Sequence, residues 1–224
     1  MKKIFLIVIT FLEFNYSLTS LASDFKISVI NSEDKKVISS IFQKKESLWV
    51  PAEELKKYPG LYWQSDLQAQ SFKITSLQKG MEDIYFVPIE ADYENGTKSQ
   101  KPWSQSLSIL IINRKDSAIL KLPDHPVLEW NFDHLVGVAF RDVQGNGKRS
   151  IIVDAAGATG MGANGSDPFD VIAVYLQSDN GTWRLDPELQ KNIDDQMYKK
   201  CKKTSCRDIK TIVKFSESYF KKKK

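Results

Sequence analysis

Hydrophobic and polar residues alternate with a period of two over several stretches of the chain, which predicts β-strands. The expected strands, including short apolar runs bounded by turn residues, are residues 25–30, 47–50, 71–76, 84–89, 107–112, 118–122, 136–140, 150–153 and 170–177. The strand at 84–89 is expected to end near Pro88, because proline cannot donate to a β-ladder. Residues 113–117 are polar and join two of these strands, so they predict a hairpin.

Helical patterns occur in three places. Residues 51–58 begin with proline followed by acidic residues, as the first turn of a helix often does. In residues 186–200, Asp186 is a candidate N-cap and Pro187 stands in the first turn. Residues 208–219 place their apolar side chains on one face. The pattern therefore predicts an α+β fold, mainly antiparallel sheet, sandwich-like or like part of a propeller blade, with a C-terminal helical pair over residues 186–224.

The N-terminus has the three parts of a secretory signal peptide in order. Lys2 and Lys3 are followed by the apolar residues 4–12, and residues 20–22 form a small-x-small cleavage site. An uncleaved membrane anchor is the alternative, but Glu13 interrupts the apolar run well short of the roughly 20 residues that a spanning helix needs. We expect residues 1–22 to be removed and the mature chain to be periplasmic or secreted, without a transmembrane span.

Residues 23–224 are expected to form a single domain. The formal charge of +4 in the full chain falls to +3 without Lys2, Lys3 and Glu13, which is too small a bias to indicate a nucleic-acid partner. Cys201 and Cys206 are predicted to form a local disulfide at the joint between the two C-terminal helices, because export exposes them to an oxidising compartment. A redox or metal-binding pair is the alternative.

Residues 142–148 read Asp-Val-Gln-Gly-Asn-Gly-Lys between two predicted strands. With its flanks, residues 136–185, this segment resembles one degenerate FG-GAP or VCBS-type repeat, whose loop runs approximately D-x-D-G-D-G-x-x-D. The resemblance implies a calcium loop between two strands of a propeller blade. It occurs once, and the chain is too short for several blades, so a single unit within a small sheet domain is expected.

The resemblance implies four calcium ligands, of which only one is a carboxylate: Asp142, Gln144, Asn146 and Ser150. Calcium needs six to eight oxygens, and carboxylates provide most of the affinity. The alternative is a tight turn in which Gly145 and Gly147 take positive φ and the polar side chains accept loop N–H groups.

A glycine-rich loop is expected at residues 155–167. Within it, residues 160–165 match G-x-G-x-x-G, but an apolar strand follows where a dinucleotide-binding loop requires a helix. Long loops on rigid sheets often carry binding sites, so we predict a binding face made by this loop and the 142–148 turn. Its candidate residues are Asp142, Gln144, Asn146, Asp154, Thr159, Met161, Asn164, Asp167, Tyr175 and Trp183.

Candidate catalytic groups are few. Asp154 and Asp170 could act as acid and base if they meet across the sheet. The two histidines are His125, expected to be exposed, and His134, but there is no G-x-S-x-G nucleophile motif. We therefore expect a non-enzymatic binding protein that recognises an envelope glycan, a secreted protein or a host factor. A carboxylate-based hydrolase and a calcium-binding structural module are the alternatives, and the oligomeric state is left open.

Overall fold

The computed structural model describes residues 25–45, 61–62, 65–78, 81–92, 105–128, 132–158, 169–180, 182–200 and 208–223. The helices are α1 (Ser32–Lys45), α2 (Ser65–Ala69), α3 (Pro187–Lys200) and α4 (Ile209–Lys223). The strands are β1 (Lys26–Val29), β2 (Leu61–Tyr62), β3 (Phe72–Gln78), β4 (Met81–Asp92), β5 (Gln105–Asn113), β6 (Ile119–Lys121), β7 (Phe132–Arg141), β8 (Ser150–Gly157), β9 (Phe169–Gln177) and β10 (Trp183–Leu185). The predicted signal peptide, the strand at 47–50, the helix at 51–58 and the cysteines Cys201 and Cys206 lie outside the described residues.

The described strands form two antiparallel sheets. The first has the order β1–β3–β4–β5–β6, with β2 pairing with the far end of β4, and the second has the order β10–β9–β8–β7. In the second sheet the strands pair with their neighbours in chain order. Together with the C-terminal helical pair, these sheets confirm the predicted α+β, mainly antiparallel and sandwich-like fold.

The two sheets pack face to face through the main hydrophobic core. Phe86 of the first sheet meets Phe140 of the second edge-to-face, with ring centroids 5.4 Å apart, and Phe72 packs against both rings. Ile151 and Val153 of β8 belong to the same buried cluster. Alternate residues of each strand therefore point between the sheets, as the period of two predicts.

Helices cover the two outer faces, so the molecule has four layers. On the first sheet, Ile38 and Ile41 of α1 pack against a cluster that includes Val87. On the second sheet, α3 and α4 bury apolar side chains against Ile152 and Val174. The helical side chains of that cluster are Leu189, Ile193, Met197 and Ile212.

Acidic caps fix where the C-terminal helices begin. The Leu189 N–H donates to Asp186 Oδ1 over 3.1 Å, as predicted for an N-cap. In α4, the Thr211 N–H donates to Asp208 Oδ1 over 2.8 Å. Helix α4 continues through its terminal lysines to Lys223, whose Nζ donates to Glu188 Oε2 over 2.9 Å.

Helix α1 was not predicted. Its N-terminus carries a reciprocal cap, in which the Asp34 N–H donates to Asn31 Oδ1 and the Asn31 N–H donates to Asp34 Oδ2. The buried Tyr85 hydroxyl on β4 donates to Asp34 Oδ1 over 2.7 Å. The same carboxylate therefore caps the helix and attaches it to the first sheet.

The prediction that β4 ends near Pro88 is wrong, because Pro88 lies inside β4 opposite Ile109. The Ile109 carbonyl accepts the Leu122 N–H over 2.9 Å, so the backbone groups of Ile109 face β6. The proline nitrogen consequently points away from β5. On that side, the pairing of β4 with β3 stops at Phe86 and its pairing with β2 begins at Glu90, so neither described strand needs an N–H at position 88.

Two further features differ from the predictions. His125 is buried, with 8 % of its surface exposed, and its Nδ1 accepts the Val127 N–H over 3.2 Å. Strand β8 runs on through residues 155–157, which were assigned to the glycine-rich loop.

Within the described residues, no helix has the length and apolar character that crossing a bilayer requires.

Candidate functional site

The turn at residues 142–148 is held together by one carboxylate. Asp142 accepts the backbone N–H groups of Gly145, Asn146 and Gly147 over 2.8, 3.1 and 2.7 Å. The two glycines have φ of 65° and 80°, in the region that other residues rarely adopt. Asn146 Oδ1 accepts the Lys148 N–H over 3.0 Å. These are the contacts of the predicted tight turn.

The oxygens of this turn fit calcium poorly. Both oxygens of Asp142, the single carboxylate of the predicted ligand set, already accept backbone N–H groups. Gln144 Oε1 and Ser150 Oγ are buried oxygens without a hydrogen-bond partner among the described residues, but neutral oxygens give a divalent ion little affinity. Within the described part of the chain, no three His, Cys, Asp or Glu side chains are grouped to hold a metal. Calcium binding therefore stays a prediction, and Asp142 is the one charged residue of the predicted ligand set.

Lys148 connects this turn to the neighbouring hairpin between β9 and β10. Its Nζ donates to the Asp179 carboxylate and, over 3.3 Å, to the Ser178 carbonyl. The hydrogen bond and charge of Lys148 lower the pKa of Asp179. The hairpin itself is closed by Asn180, whose Oδ1 accepts the Thr182 N–H and hydroxyl. We call residues 142–149 and 177–183 together the turn end of the second sheet.

Three hydrogen-bond donors form a row across the turn end on the face toward the first sheet. Ile151 pairs with Tyr175 and Gln177 pairs with Trp183. Extending the register of β8 and β9 by two residues past Ile151 places Arg149 opposite Gln177. We call Arg149, Gln177 and Trp183 the donor row. Gln177 and Trp183 are each only 7 % exposed.

The donor row is short of acceptors. Trp183 Nε1 is buried without a hydrogen-bond partner among the described residues. The guanidinium carbon of Arg149 lies 3.6 Å from the ring centroid of Phe25. Burial lowers the pKa of Arg149, and the charge of Arg141 acts in the same direction while Asp142 opposes it. Burial and the nearby Arg141 charge therefore outweigh the effect of Asp142 on the pKa of Arg149.

The glycine-rich loop lies at the other end of β8. The strand runs from Ser150, beside the turn end, to Gly157, and at about 3.3 Å per residue its eight residues span roughly 25 Å. The 142–148 turn and the described residues 155–158 of this loop therefore lie at opposite ends of β8. The predicted residues Thr159, Met161, Asn164 and Asp167 lie outside the described residues.

The candidate catalytic carboxylates lie on the opposite, helix-covered face of the second sheet. Asp154 is 1 % exposed and pairs with Ile172, whereas Asp170 is exposed and pairs with Ala156. The two carboxylates are diagonal rather than directly opposite. His134, exposed, also pairs with Ala156 from the β7 side. These three side chains share a face near the glycine-rich loop, away from the turn end.

Of the predicted binding residues, the structure places Asp142, Gln144, Asn146 and Trp183 at the turn end, and Tyr175 one row deeper in the core. Burial raises the pKa of Tyr175. Sequence reasoning missed Arg149 and Gln177. The sequence did contain a usable indication. Both residues continue the alternation of side chains that point into the core from β8 and β9, and charged or amide side chains are unusual at such positions.

No protein-family model matches the chain, and no curated protein or solved structure is similar to it. The FG-GAP resemblance of residues 136–185 therefore stays a prediction.

Proposed function

We propose that the mature protein is an exported, non-enzymatic binding protein that takes its ligand at the turn end of the second sheet. The observation that carries this proposal is the donor row, in which Trp183 Nε1 and the Arg149 guanidinium have no acceptor among the described residues. Buried donors are normally paired. A ligand that supplies acceptors would satisfy them.

The two turns of the turn end are fixed to each other and to the sheet. Asp142 fixes the turn internally, and Lys148 fixes the turn to the adjacent hairpin. Both are attached to β8 and β9, whose residues are buried on both faces over most of their length. Rigid sheets that present short, internally bonded turns are a common way to hold a binding surface in one shape.

The place of action follows from the N-terminal pattern. Residues 1–22 have the order of charges, apolar residues and small residues typical of a cleaved export signal. We propose a periplasmic or secreted location, where an envelope glycan, a secreted protein or a host factor is within reach. Periplasmic fractions containing a chain that begins at Ser23 would support this location, and a full-length cytosolic chain would contradict it.

The binding proposal is tested by calorimetric titration of the mature protein with a panel of purified envelope polysaccharides and secreted proteins. Lys148→Met keeps an unbranched side chain but removes the amino group that bridges the two turns, so it should weaken binding. Lys121→Met is the matched control, because Lys121 forms an exposed ion pair with Asp124 on the first sheet.

A second variant tests which end of β8 carries the binding site. Deletion of residues 160–165 removes the glycine-rich segment that sequence reasoning favoured and leaves the turn end intact. Binding that survives this deletion but weakens in Lys148→Met supports the turn end. Binding that is lost only in the deletion moves the site to the opposite end, and a panel without any binding contradicts the proposal.

A further inference from the structure

We propose that the donor row is a carboxylate-binding site, with Arg149 as its charged group and Gln177 and Trp183 as neutral donors. The inference rests on the proposed function and names the chemistry of the ligand group that enters the turn end. Its ligand presents one carboxylate, whether as a free small acid or as an acidic sugar.

Arg149 is a half-buried cation without an ion-pair partner among the described residues. Its guanidinium makes no hydrogen bond within that part of the chain, and it lies over the ring of Phe25. Asp142 is the nearby acid, but its carboxylate is taken up by three loop N–H groups. Charged groups that leave water are usually paired, so the missing partner is an acceptor from outside the described residues.

The contact with Phe25 orients the guanidinium. At 3.6 Å from the ring centroid, the positive group lies over the aromatic face. A guanidinium that stacks by its flat face keeps the N–H groups along its edges available. Those groups form a planar fork that matches the two oxygens of a carboxylate.

The neighbours of Arg149 in the row add three N–H donors and one acceptor, the Gln177 amide oxygen. The Trp183 indole can only donate, and its Nε1 is buried without a partner among the described residues. The Gln177 amide supplies two further N–H groups beside it. An excess of donors around one cation selects an anion over a neutral or cationic group.

The test follows the Trp183 indole N–H in a nitrogen-15 spectrum of the mature protein, with the signal assigned through Trp183→Phe. The probes are sodium acetate, sodium glucuronate, sodium sulfate and glucose at constant ionic strength. We expect a saturable shift of this signal with acetate and glucuronate, weaker binding of the tetrahedral sulfate, and no shift with glucose. Tighter binding of glucuronate than of acetate would identify the acidic sugar as the source.

Two substitutions of Arg149 distinguish the effect of its positive charge from the effect of its planar guanidinium. Arg149→Gln should abolish the shift, whereas Arg149→Lys keeps the charge but loses the planar fork and should weaken carboxylate binding about tenfold. Arg184→Gln is the control, because Arg184 lies on the adjacent strand, points to the other face and pairs with Asp186. Its carboxylate binding should match that of the unmodified protein.

The inference is overturned if none of the anions shifts the Trp183 signal at 50 times the concentration of protein or more, or if Arg149→Gln binds acetate unchanged. Either result leaves the proposed function standing, provided that a ligand of the panel still binds at the turn end. If the panel gives no ligand and the carboxylates bind in an Arg149-dependent way, the proposed function is contradicted and the carboxylate-binding site stands.

Discussion

The hydrogen bond between Tyr85 and Asp34 gives a quantitative test of how α1 is held on the first sheet. The Tyr85 hydroxyl donates to the Asp34 carboxylate over 2.7 Å in a buried position. Hydrogen bonds to charged groups contribute roughly 1.5–3 kcal/mol. Since about 1 kcal/mol corresponds to 2–4 °C in a domain of this size, we expect Tyr85→Phe to lower Tm by about 3–12 °C.

Urea and thermal unfolding of Tyr85→Phe, Asp34→Ala and the double variant form a cycle that isolates this contact, because alanine has no oxygen to accept the Tyr85 hydroxyl. The cycle is needed because Asp34 also caps α1 through Asn31. We expect a coupling of about 1–3 kcal/mol. Tyr219→Phe is the matched control, because its hydroxyl bonds the exposed Glu188, and its Tm should not change measurably. A coupling below about 0.5 kcal/mol would refute the reasoning.

The contact also predicts a loss of stability at alkaline pH. Burial and the hydrogen bond to Asp34 raise the pKa of Tyr85 from its ordinary 10.0 to about 12. Between these values the unfolded chain releases the proton and the folded chain keeps it, so stability is complete below about pH 10 and falls as pH rises. Tyr85→Phe should remove this part of the alkaline decline.

Three other predictions concern single residues. Asp142→Ala removes the acceptor of three loop N–H groups and should lower the free energy of unfolding by about 1 kcal/mol. Neither chelator nor calcium should change the Tm of the unmodified protein, since the turn fits calcium poorly. Gly147→Ala should lower the free energy of unfolding in urea by about 1 kcal/mol. The φ of 80° is the cause, because no atom lies within 4 Å of the added carbon and no steric clash is expected. Burial lowers the pKa of His125, so stability should be complete above about pH 6.5 and fall as pH decreases below it, and His125→Gln should flatten that decline. A chelator-dependent Tm, a neutral Gly147→Ala or an unchanged pH profile in His125→Gln would contradict the respective prediction.

The parts of the fold that sequence predicted correctly depend on local signals. The hairpin of β5 and β6 follows two apolar runs joined by a short polar segment, and its closure by the Asn113 N–H and the Ala118 carbonyl confirms it. Asp186 and Asp208 lie immediately before their helices and bond to their first turns. In each case, the residues that decide the structure are within a few positions of each other.

Other features depend on contacts that sequence spacing does not show. The place of Pro88 inside β4 depends on where β2 and β3 stop pairing. Helix α1 carried a usable local signal in the Asn31 and Asp34 cap, but its polar composition hid the stripe formed by Ile38 and Ile41. Its anchor on Tyr85 lies 51 positions away.

The candidate site was predicted only in part for the same reason. The sequence placed Asp142 in a turn and marked Trp183 as a binding residue, and both lie at the turn end. It also joined the turn to the glycine-rich loop, although the length of β8 separates them. Arg149 and Gln177 become neighbours only through the pairing of β8 with β9, which a pattern within one strand does not reveal.

The most direct test of the binding site is a map of backbone amide shifts when the mature protein is saturated with a ligand from the binding panel. We expect the largest changes in residues 142–149 and 177–183, with β1 affected beside Phe25. Changes confined to residues 155–158 and 169–171, at the far end of the same strands, would contradict the account.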